Sequence, residues 1–272
     1  MKFSFIQITD HHLGESDADH PYGYPAAETF RAVMDKISTD HFDKIDFIVS
    51  TGDLVNRATD PAYDFMKFVL DLKTADKYNG SHFIQYGNLN EFPFFLLPGN
   101  HDERATFFSN FFPGQPDLTH LNVWFSHKGI RFIMLDWGMG DRAELTPELL
   151  DFTTQALQTN EPCILLMHHN MIPLGTPWLD RFIADEIESF YDILRGKNIL
   201  AVLCGHLHSS YDRTWEGIPV LGLRSTAFQF RFEGKPIITL QPPHYRLVTV
   251  SSNASFKSRV VEVPLPENLV RS

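Results

Sequence analysis

Cysteine is nearly absent from this chain of 272 residues: Cys163 and Cys204 are the two it has, each inside an apolar run. Neither belongs to a CxxC pair, which argues against a thiolate zinc site and against a disulfide framework. Both read as buried free thiols. Long apolar runs are absent too. The N-terminal Met-Lys-Phe-Ser-Phe-Ile-Gln-Ile-Thr meets an acid at Asp10, too early for the apolar core of a secretory signal. No stretch approaches the ~20 apolar residues of a membrane-spanning helix. No run of Lys or Arg appears, and the formal net charge is −11, a poor match to nucleic-acid backbones, which reward a basic face. Internal repeats and low-complexity segments are also missing. The expectation is a cytoplasmic soluble protein with no nucleic-acid or membrane partner. Hydrophobic residues make up 43% and charged residues 21%, enough material for a sizeable core.

Short apolar runs at Phe3–Thr9, Ile45–Ser50, Phe94–Leu97, Arg131–Leu135, Cys163–Met167 and Leu200–Cys204 read as strands. They have few polar residues, as strands covered on both faces do. Helical spacing of apolar residues marks Ala26–Ile37 and Ala62–Leu72. Thr146-Pro147-Glu148 is a helix start leading into Leu149–Leu157, and Asp185–Leu194 is a further helix. Alternating strands and helices predict an α/β layered fold. Beyond His208, short strands at 213–215, 219–221, 227–232, 246–250 and 259–263 suggest a second, more antiparallel sheet at the C-terminal end.

Five polar clusters each follow one of the apolar runs. They are Thr9-Asp10-His11-His12, Thr51-Gly52-Asp53, Pro98-Gly99-Asn100-His101-Asp102, Met167-His168-His169-Asn170 and Gly205-His206-Leu207-His208. Ligands of open α/β sheets bind at the carboxyl ends of strands, so sequence-distant clusters can meet at one edge. Asp, Asn and His offer oxygen and nitrogen donors, which suit hard or borderline cations. The carboxylate of Asp53 has two oxygens and can bridge two cations. Any one cluster alone would as often be a solvated loop; the joint pattern carries the weight.

These blocks resemble the calcineurin-like metallophosphoesterase superfamily, whose pattern runs D-x-H, G-D, G-N-H-D/E, H and G-H-x-H. All five are present in that order between Asp10 and His208. The resemblance implies a four-layer α/β/β/α sandwich of two mixed sheets flanked by helices. One domain over residues 1–272 is expected; the polar, irregular stretch 71–92, with Gly80 and Gly87, reads as an insertion or cap and 264–272 as a tail. The resemblance also implies two divalent or mixed-valence metal ions drawn from Mn, Fe and Zn. Asp10, His12 and His208 would hold the first ion, Asn100, His168 and His206 the second, and Asp53 would bridge them. A metal-bridging hydroxide would attack phosphorus. His101 would stand by the substrate as charge stabiliser and proton donor, and Asp102 would orient it. Asn100, His101 and His169 are the residues expected to touch substrate.

Two further segments are similar to those of bacterial class III cyclic-nucleotide phosphodiesterases: His168 to Asp180, with Gly175 and Trp178-Leu179-Asp180, and Ser225-Thr226-Ala227-Phe228-Gln229-Phe230. This implies a phosphodiester hydrolase acting on a small molecule, with a 3′,5′-cyclic nucleotide as leading substrate. A glycerophosphodiester or other small phosphodiester, a phosphomonoester, and a catalytically inactive binding scaffold are the alternatives. The chain departs from the pattern at His11, at Asn170 and at Leu135-Asp136-Trp137, positions that bear on the pocket more than on the ligands. Tyr22 and Tyr24 either stack on a base or pack as an aromatic turn. Arg57 and Arg104 either reach a phosphate or form ion pairs. Phe65 and Phe68 belong to the core or, if exposed, to a homodimer face.

Overall fold

The computed structural model describes residues 2–41, 44–70, 93–113, 118–231, 236–251 and 253–269 with their side chains, and residues 76–78, 81–83, 232 and 270 by their backbone. In chain order the elements are β1 (Phe3–Ile8), α1 (Ala26–His41), β2 (Phe47–Thr51), α2 (Asp60–Leu70), β3 (Asp76–Tyr78), β4 (Ser81–Phe83), β5 (Phe94–Leu97) and α3 (Arg104–Phe111). Next come β6 (Val123–His127), β7 (Ile130–Leu135), α4 (Pro147–Ala156), β8 (Cys163–Met167), α5 (Pro177–Asp180), α6 (Ile187–Leu194) and β9 (Ile199–Cys204). The chain ends with β10 (Tyr211–Trp215), β11 (Ile218–Gly222), β12 (Gln229–Phe232), β13 (Pro236–Thr239), β14 (His244–Val250), β15 (Phe256–Glu262) and α7 (Glu267–Val270).

One sheet has the order β15-β14-β1-β2-β5 and the other β10-β11-β9-β8-β7-β6. In the first, β1, β2 and β5 are parallel and β14 and β15 add antiparallel. In the second, β11, β9, β8 and β7 are parallel, with β10 and β6 as antiparallel edges.

Side chains alternate across a strand, and that alternation builds three apolar layers here. Phe3, Phe5, Phe47, Val49, Phe95 and Leu97 meet Phe125, Phe132, Met134, Ile164, Leu166 and Leu203 between the two sheets. Ile6, Ile8, Ile48, Phe94 and Leu96 turn the other way, against Phe30, Val33, Met34 and Ile37 of α1 and against α2 and α3. On the far side Ile133, Leu135, Leu165, Met167 and Val202 pack on α4 and α6 through Leu149, Ala156, Phe190 and Leu194. The result is the expected α/β/β/α sandwich. The central strands read as continuous apolar runs because both faces are covered.

The structure corrects the expectation of a separate C-terminal sheet. β14 and β15 join the edge of the first sheet and β10 and β11 that of the second, leaving β12-β13 as a two-stranded ribbon. Each sheet had an open edge of unpaired backbone groups to satisfy. Helix α3 and strand β6, unforeseen in the sequence, lie between β5 and β7. Glu103 caps α3 by accepting from the Ala105 and Thr106 amides, each at 2.9 Å. The 264–272 tail contains α7, where Asn268 Nδ2 donates to Glu28 Oε1 at 2.6 Å. Apart from the backbone of β3 and β4, the expected insertion or cap at 71–92 lies outside the described residues. Among the described residues no helix is long and apolar enough to cross a membrane.

Candidate metal centre

All five polar clusters leave the carboxyl ends of parallel strands. Asp10 and His12 follow β1, Asp53 follows β2, and Asn100 and His101 follow β5. His168 follows β8, and His206 and His208 follow β9. The first three come from one sheet and the last two from the other, so the centre lies where the two sheets meet. Gln7 Nε2 ties this edge together by donating to Thr51 Oγ1 and to the Cys204 carbonyl, both at 3.1 Å. Asp10, His12, Asp53, His206 and His208 all have left-handed backbone, with φ between 44 and 68°. Non-glycine residues rarely adopt it, and it is kept where surrounding contacts over-determine it. Close approach also requires glycine at two positions. A Cβ on Gly52 would run into the His168 ring and the Gly99 Cα, and one on Gly205 into Thr9 Oγ1.

The side chains gather into two groups. Ligand atoms of Asp10, His12, Asp53 and His208 lie within 4.8 Å of one another, and those of Asp53, His168 and His206 do likewise. Asp53 belongs to both. Its Oδ2 is 3.4 Å from His12 Nε2 and its Oδ1 is 3.4 Å from His168 Nε2. His208 Nε2 lies 3.1 Å from His12 Nε2 and 3.4 Å from Asp10 Oδ1. His168 Nε2 lies 3.0 Å from Asn100 Oδ1 and 3.3 Å from His206 Nδ1. Thr9 Oγ1 and the His206 amide donate to the Asp10 carboxylate, which fixes its direction.

The donor chemistry fits cations. His168 Nδ1 donates to the Thr51 carbonyl and His208 Nδ1 to the Phe228 carbonyl, each at 2.7 Å. A carbonyl only accepts, so in the neutral rings both Nε2 atoms carry lone pairs. Those lone pairs face other acceptors: Asn100 Oδ1, the Asp53 and Asp10 carboxylates and further imidazoles. Such contacts repel unless a proton or a cation lies among them. Burial alone would lower the pKa of His168, but the Asp53 carboxylate outweighs it and raises it to about 9. Burial holds His12 and His206 well below the usual imidazole range. At Asp10 burial is outweighed by His208, which brings its pKa down to about 2. Asp10 is thus charged and His12 and His206 neutral, the forms in which metal ligands bind, whereas His168 holds a proton that a cation would displace.

The residues expected beside the substrate divide. His101 is half-buried and its ring stands edge-on to His12 at 4.7 Å. Its Nδ1 donates to the Asn56 carbonyl at 2.8 Å, which leaves Nε2 for proton transfer. Burial lowers the His101 pKa, but Asp53 outweighs it and the net shift is upward. Asp102 does not meet the expectation that it orients this ring. Its carboxylate accepts from the Gly99 amide at 2.8 Å, the Leu54 amide at 3.0 Å and the Tyr63 hydroxyl at 2.9 Å. A buried acid with two neighbouring amides takes those donors, and the Asn56 carbonyl already holds His101. Burial, reinforced by Asp53, raises the Asp102 pKa to about 6. His169 donates Nε2–H to the Gly140 carbonyl at 2.8 Å and is 1% exposed. It packs 4.7 Å from the His206 ring, behind that ligand rather than on the cavity wall.

A cavity of about 190 Å³ opens over the centre. His12, Asp53, Asn100, His101, His206 and His208 form its floor, and Tyr22, Trp178, Phe228 and Phe230 line its wall with Asp141 and Arg181. Wider surface grooves, one of about 970 Å³ beside Lys2, Lys44 and Arg259, hold no such group of ligands among the described residues. Asp141, whose Oδ1 is 3.5 Å from Asn100 Nδ2, carries no motif that would reveal it. Asn56 acts through its backbone, which side-chain identity does not report. Arg57 is exposed, and Arg104 is buried against Asp136 rather than facing a phosphate. His11 turns inward, 2.8 Å from both Thr226 Oγ1 and Ser50 Oγ.

The chain is similar to known phosphoesterases. A 3′,5′-cyclic adenosine monophosphate phosphodiesterase, CpdA, of Haemophilus influenzae is 26% identical over 96% of this chain and 90% of its own. A 3′,5′-cyclic-nucleotide phosphodiesterase of Nostoc sp. is 24% identical over 97% of this chain and 94% of its own. A dimetal phosphatase from Danio rerio shares the fold, with a TM-score of 0.60 at 14% identity over 97% of this chain and 99% of that one. The family model for calcineurin-like phosphoesterases matches residues 3–210, a span that holds all five polar clusters, and the chain belongs to that family.

Proposed function

We propose that this protein is a dinuclear metal-dependent phosphodiester hydrolase whose substrate is a 3′,5′-cyclic nucleotide. The observation that carries the reading is the sharing of Asp53 between two groups of lone-pair donors, 3.4 Å from His12 on one side and 3.4 Å from His168 on the other. Asp10, His12 and His208 would hold one ion and Asn100, His168 and His206 the other, with Asp53 shared between the two groups. The oxygen and nitrogen donors suit Mn, Fe or Zn. When bound, the ions supply Lewis acidity that makes hydroxide available near neutral pH and offsets charge on the phosphoryl oxygens.

The chain's own groups do the rest. The Asn56 carbonyl fixes the His101 tautomer, so that Nε2 is the nitrogen that hands a proton to the departing alkoxide. The Asp53 carboxylate outweighs burial and shifts the His101 pKa upward, the direction that favours the protonated ring. Asn100 Nδ2 leans toward Asp141, which directs its oxygen to the centre. The net charge of −11 and the narrow cavity favour a small substrate over a nucleic acid. The names of relatives that match nearly the whole of this chain support the cyclic-nucleotide choice.

The test is a substrate panel on purified protein stripped with chelator and reloaded with Mn²⁺. Cyclic AMP should be cleaved with a higher kcat/KM than glycerophosphoethanolamine or p-nitrophenyl phosphate, and chelator should abolish turnover. A faster monoester would replace the reading with a phosphomonoesterase, and a faster glycerophosphodiester would change the substrate. Turnover of none of them would leave a metal-binding scaffold.

A further inference from the structure

Tyr22 and Tyr24 lie in one short turn yet have opposite fates. Tyr24 packs inward, and its hydroxyl donates to the Ile238 carbonyl at 2.7 Å, tying the turn to the β12-β13 ribbon. Tyr22 remains 56% exposed on the cavity wall. Its backbone is left-handed, φ 52° and ψ 20°, inside the turn Pro21–Gly23, a conformation that a bulky residue avoids. The turn is closed by Gly23 N donating to the His20 carbonyl at 2.8 Å and Tyr24 N to the Pro21 carbonyl at 3.0 Å. An aromatic ring is thus held out of the core at a strained position, at the mouth of the metal cavity.

The neighbourhood defines what such a ring meets. Phe228 stands edge-on to Tyr22 at 5.1 Å and also packs 4.9 Å from His12 and from His208. One aromatic surface therefore runs from the candidate ligands to the cavity mouth. At about 190 Å³ the space is smaller than the ~300–1,000 Å³ that encloses drug-sized ligands. The guanidinium of Arg181 lies on the same wall, 5.2 Å from the Trp178 ring and 4.7 Å from that of Phe182. A flat, polarisable ligand gains stacking contact from these faces, which an aliphatic alcohol does not.

We propose that Tyr22, backed by Phe228, is a specificity-determining residue: a stacking platform for a planar heteroaromatic ring that separates nucleoside phosphodiesters from those of aliphatic alcohols. This rests on the phosphodiesterase reading above. The test uses the Mn²⁺-loaded full chain as wild type, Tyr22→Phe, Tyr22→Ala and Tyr22→Gly, the last of which removes the ring while relieving the left-handed strain. The readout is the ratio of kcat/KM for cyclic AMP to that for glycerophosphoethanolamine, together with the ratio of dissociation constants for AMP and ribose 5-phosphate by calorimetry. Stacking predicts that Tyr22→Ala and Tyr22→Gly each lower both preferences about tenfold, carried by KM, and that Tyr22→Phe keeps them. Ratios within about twofold of wild type in both variants would overturn the proposal, as would equal wild-type binding of AMP and ribose 5-phosphate. If the wild type cleaves neither diester, the phosphodiesterase reading fails and the two binding constants still decide the role of Tyr22.

Discussion

Arg104 donates from Nε and Nη2 to both carboxylate oxygens of Asp136, at 2.8 and 2.6 Å, with both side chains buried. The same guanidinium donates to the carbonyls of Gly99, Asp102 and Gly138, which uses all five of its N–H groups. Asp136 in turn accepts from the amides of Leu121 and Gly138, at 3.0 and 3.1 Å. Gly99 and Asp102 bracket Asn100 and His101, so one fork-shaped side chain clamps the loop that presents both to the centre. Arginine alone offers this geometry.

Replacing Arg104 by Met should strand the Asp136 carboxylate in the core and cost about 3–5 kcal/mol. The double change Arg104→Met, Asp136→Leu should cost less than Arg104→Met alone, because no unpaired charge remains. Urea unfolding of Arg104→Met, Asp136→Leu and the double variant checks this. Strictly additive losses would mean that the two side chains do not act as a pair.

Asp46 joins the sheets at the opposite edge, accepting from the Ser4 amide at 3.3 Å, from His127 at 3.1 Å and from Lys128. Burial lowers the His127 pKa, more than Asp46 raises it. A depressed histidine is neutral when folded, while the unfolded chain takes up a proton near pH 6.5. Its stabilising effect is therefore complete above that pH and is lost as pH falls toward the folded value. At Asp46 burial is outweighed by Lys128, the Ser4 amide and His127, so its pKa is also lowered, and its contribution is lost only below about pH 3.8. The stability difference between wild type and His127→Gln should be largest at pH 8. It should shrink from pH 6.5 to 5.5 by at most ~1.4 kcal/mol per unit. Asp46→Asn should be less stable by about 1–3 kcal/mol across that range. Denaturation at three pH values distinguishes the two patterns.

The sequence reports side-chain chemistry better than it reports backbone chemistry or edges. Asp10, His12, Asp53, Asn100, His168, His206 and His208 were legible because strand ends converge and few residue types supply lone pairs. The Asn56 carbonyl was not, since every residue offers one. Nor was the role of Asp102, whose acidity suits an orienting acid and an amide anchor equally. The apolar runs of β1, β2, β8 and β9 declared buried strands. β15 alternates between half-buried and exposed residues, which left open the sheet it would join. Tyr22 and Tyr24 carried identical signals, and only the turn geometry separated them.

Binding of metal to the folded state stabilises it by RT ln(1 + [L]/Kd), about 2.7 kcal/mol at a hundredfold excess over Kd. Adding Mn²⁺ to chelator-treated protein should therefore raise the melting temperature. His208→Ala should reduce bound metal from two ions to about one, and so should His206→Ala, because the two residues face different groups. Asp53→Asn should reduce both occupancies and most of the thermal shift. Two ions retained in either histidine variant, by elemental analysis, would contradict this division.

His101 and Asp102 are adjacent but have different partners, and their variants should fail differently. His101→Ala removes a proton donor and should lower kcat about 10²- to 10⁴-fold with metal content and melting temperature near wild type. Asp102→Asn instead places an amide NH₂ among the Gly99, Leu54 and Tyr63 donors that now bond to its carboxylate. One or more of those donors then lacks an acceptor, at about 1–3 kcal/mol. Gly99 precedes Asn100 and Leu54 follows Asp53, so two candidate ligands lose their backbone anchors together. Asp102→Asn should therefore lower stability and metal content first, and activity as a consequence, with excess Mn²⁺ restoring part of it. The acidic and basic limbs of the pH–rate profile should keep their positions, since His101 remains on the Asn56 carbonyl. Had Asp102 oriented His101, the same variant would hold its metal, melt normally and shift the limb that reports the imidazole.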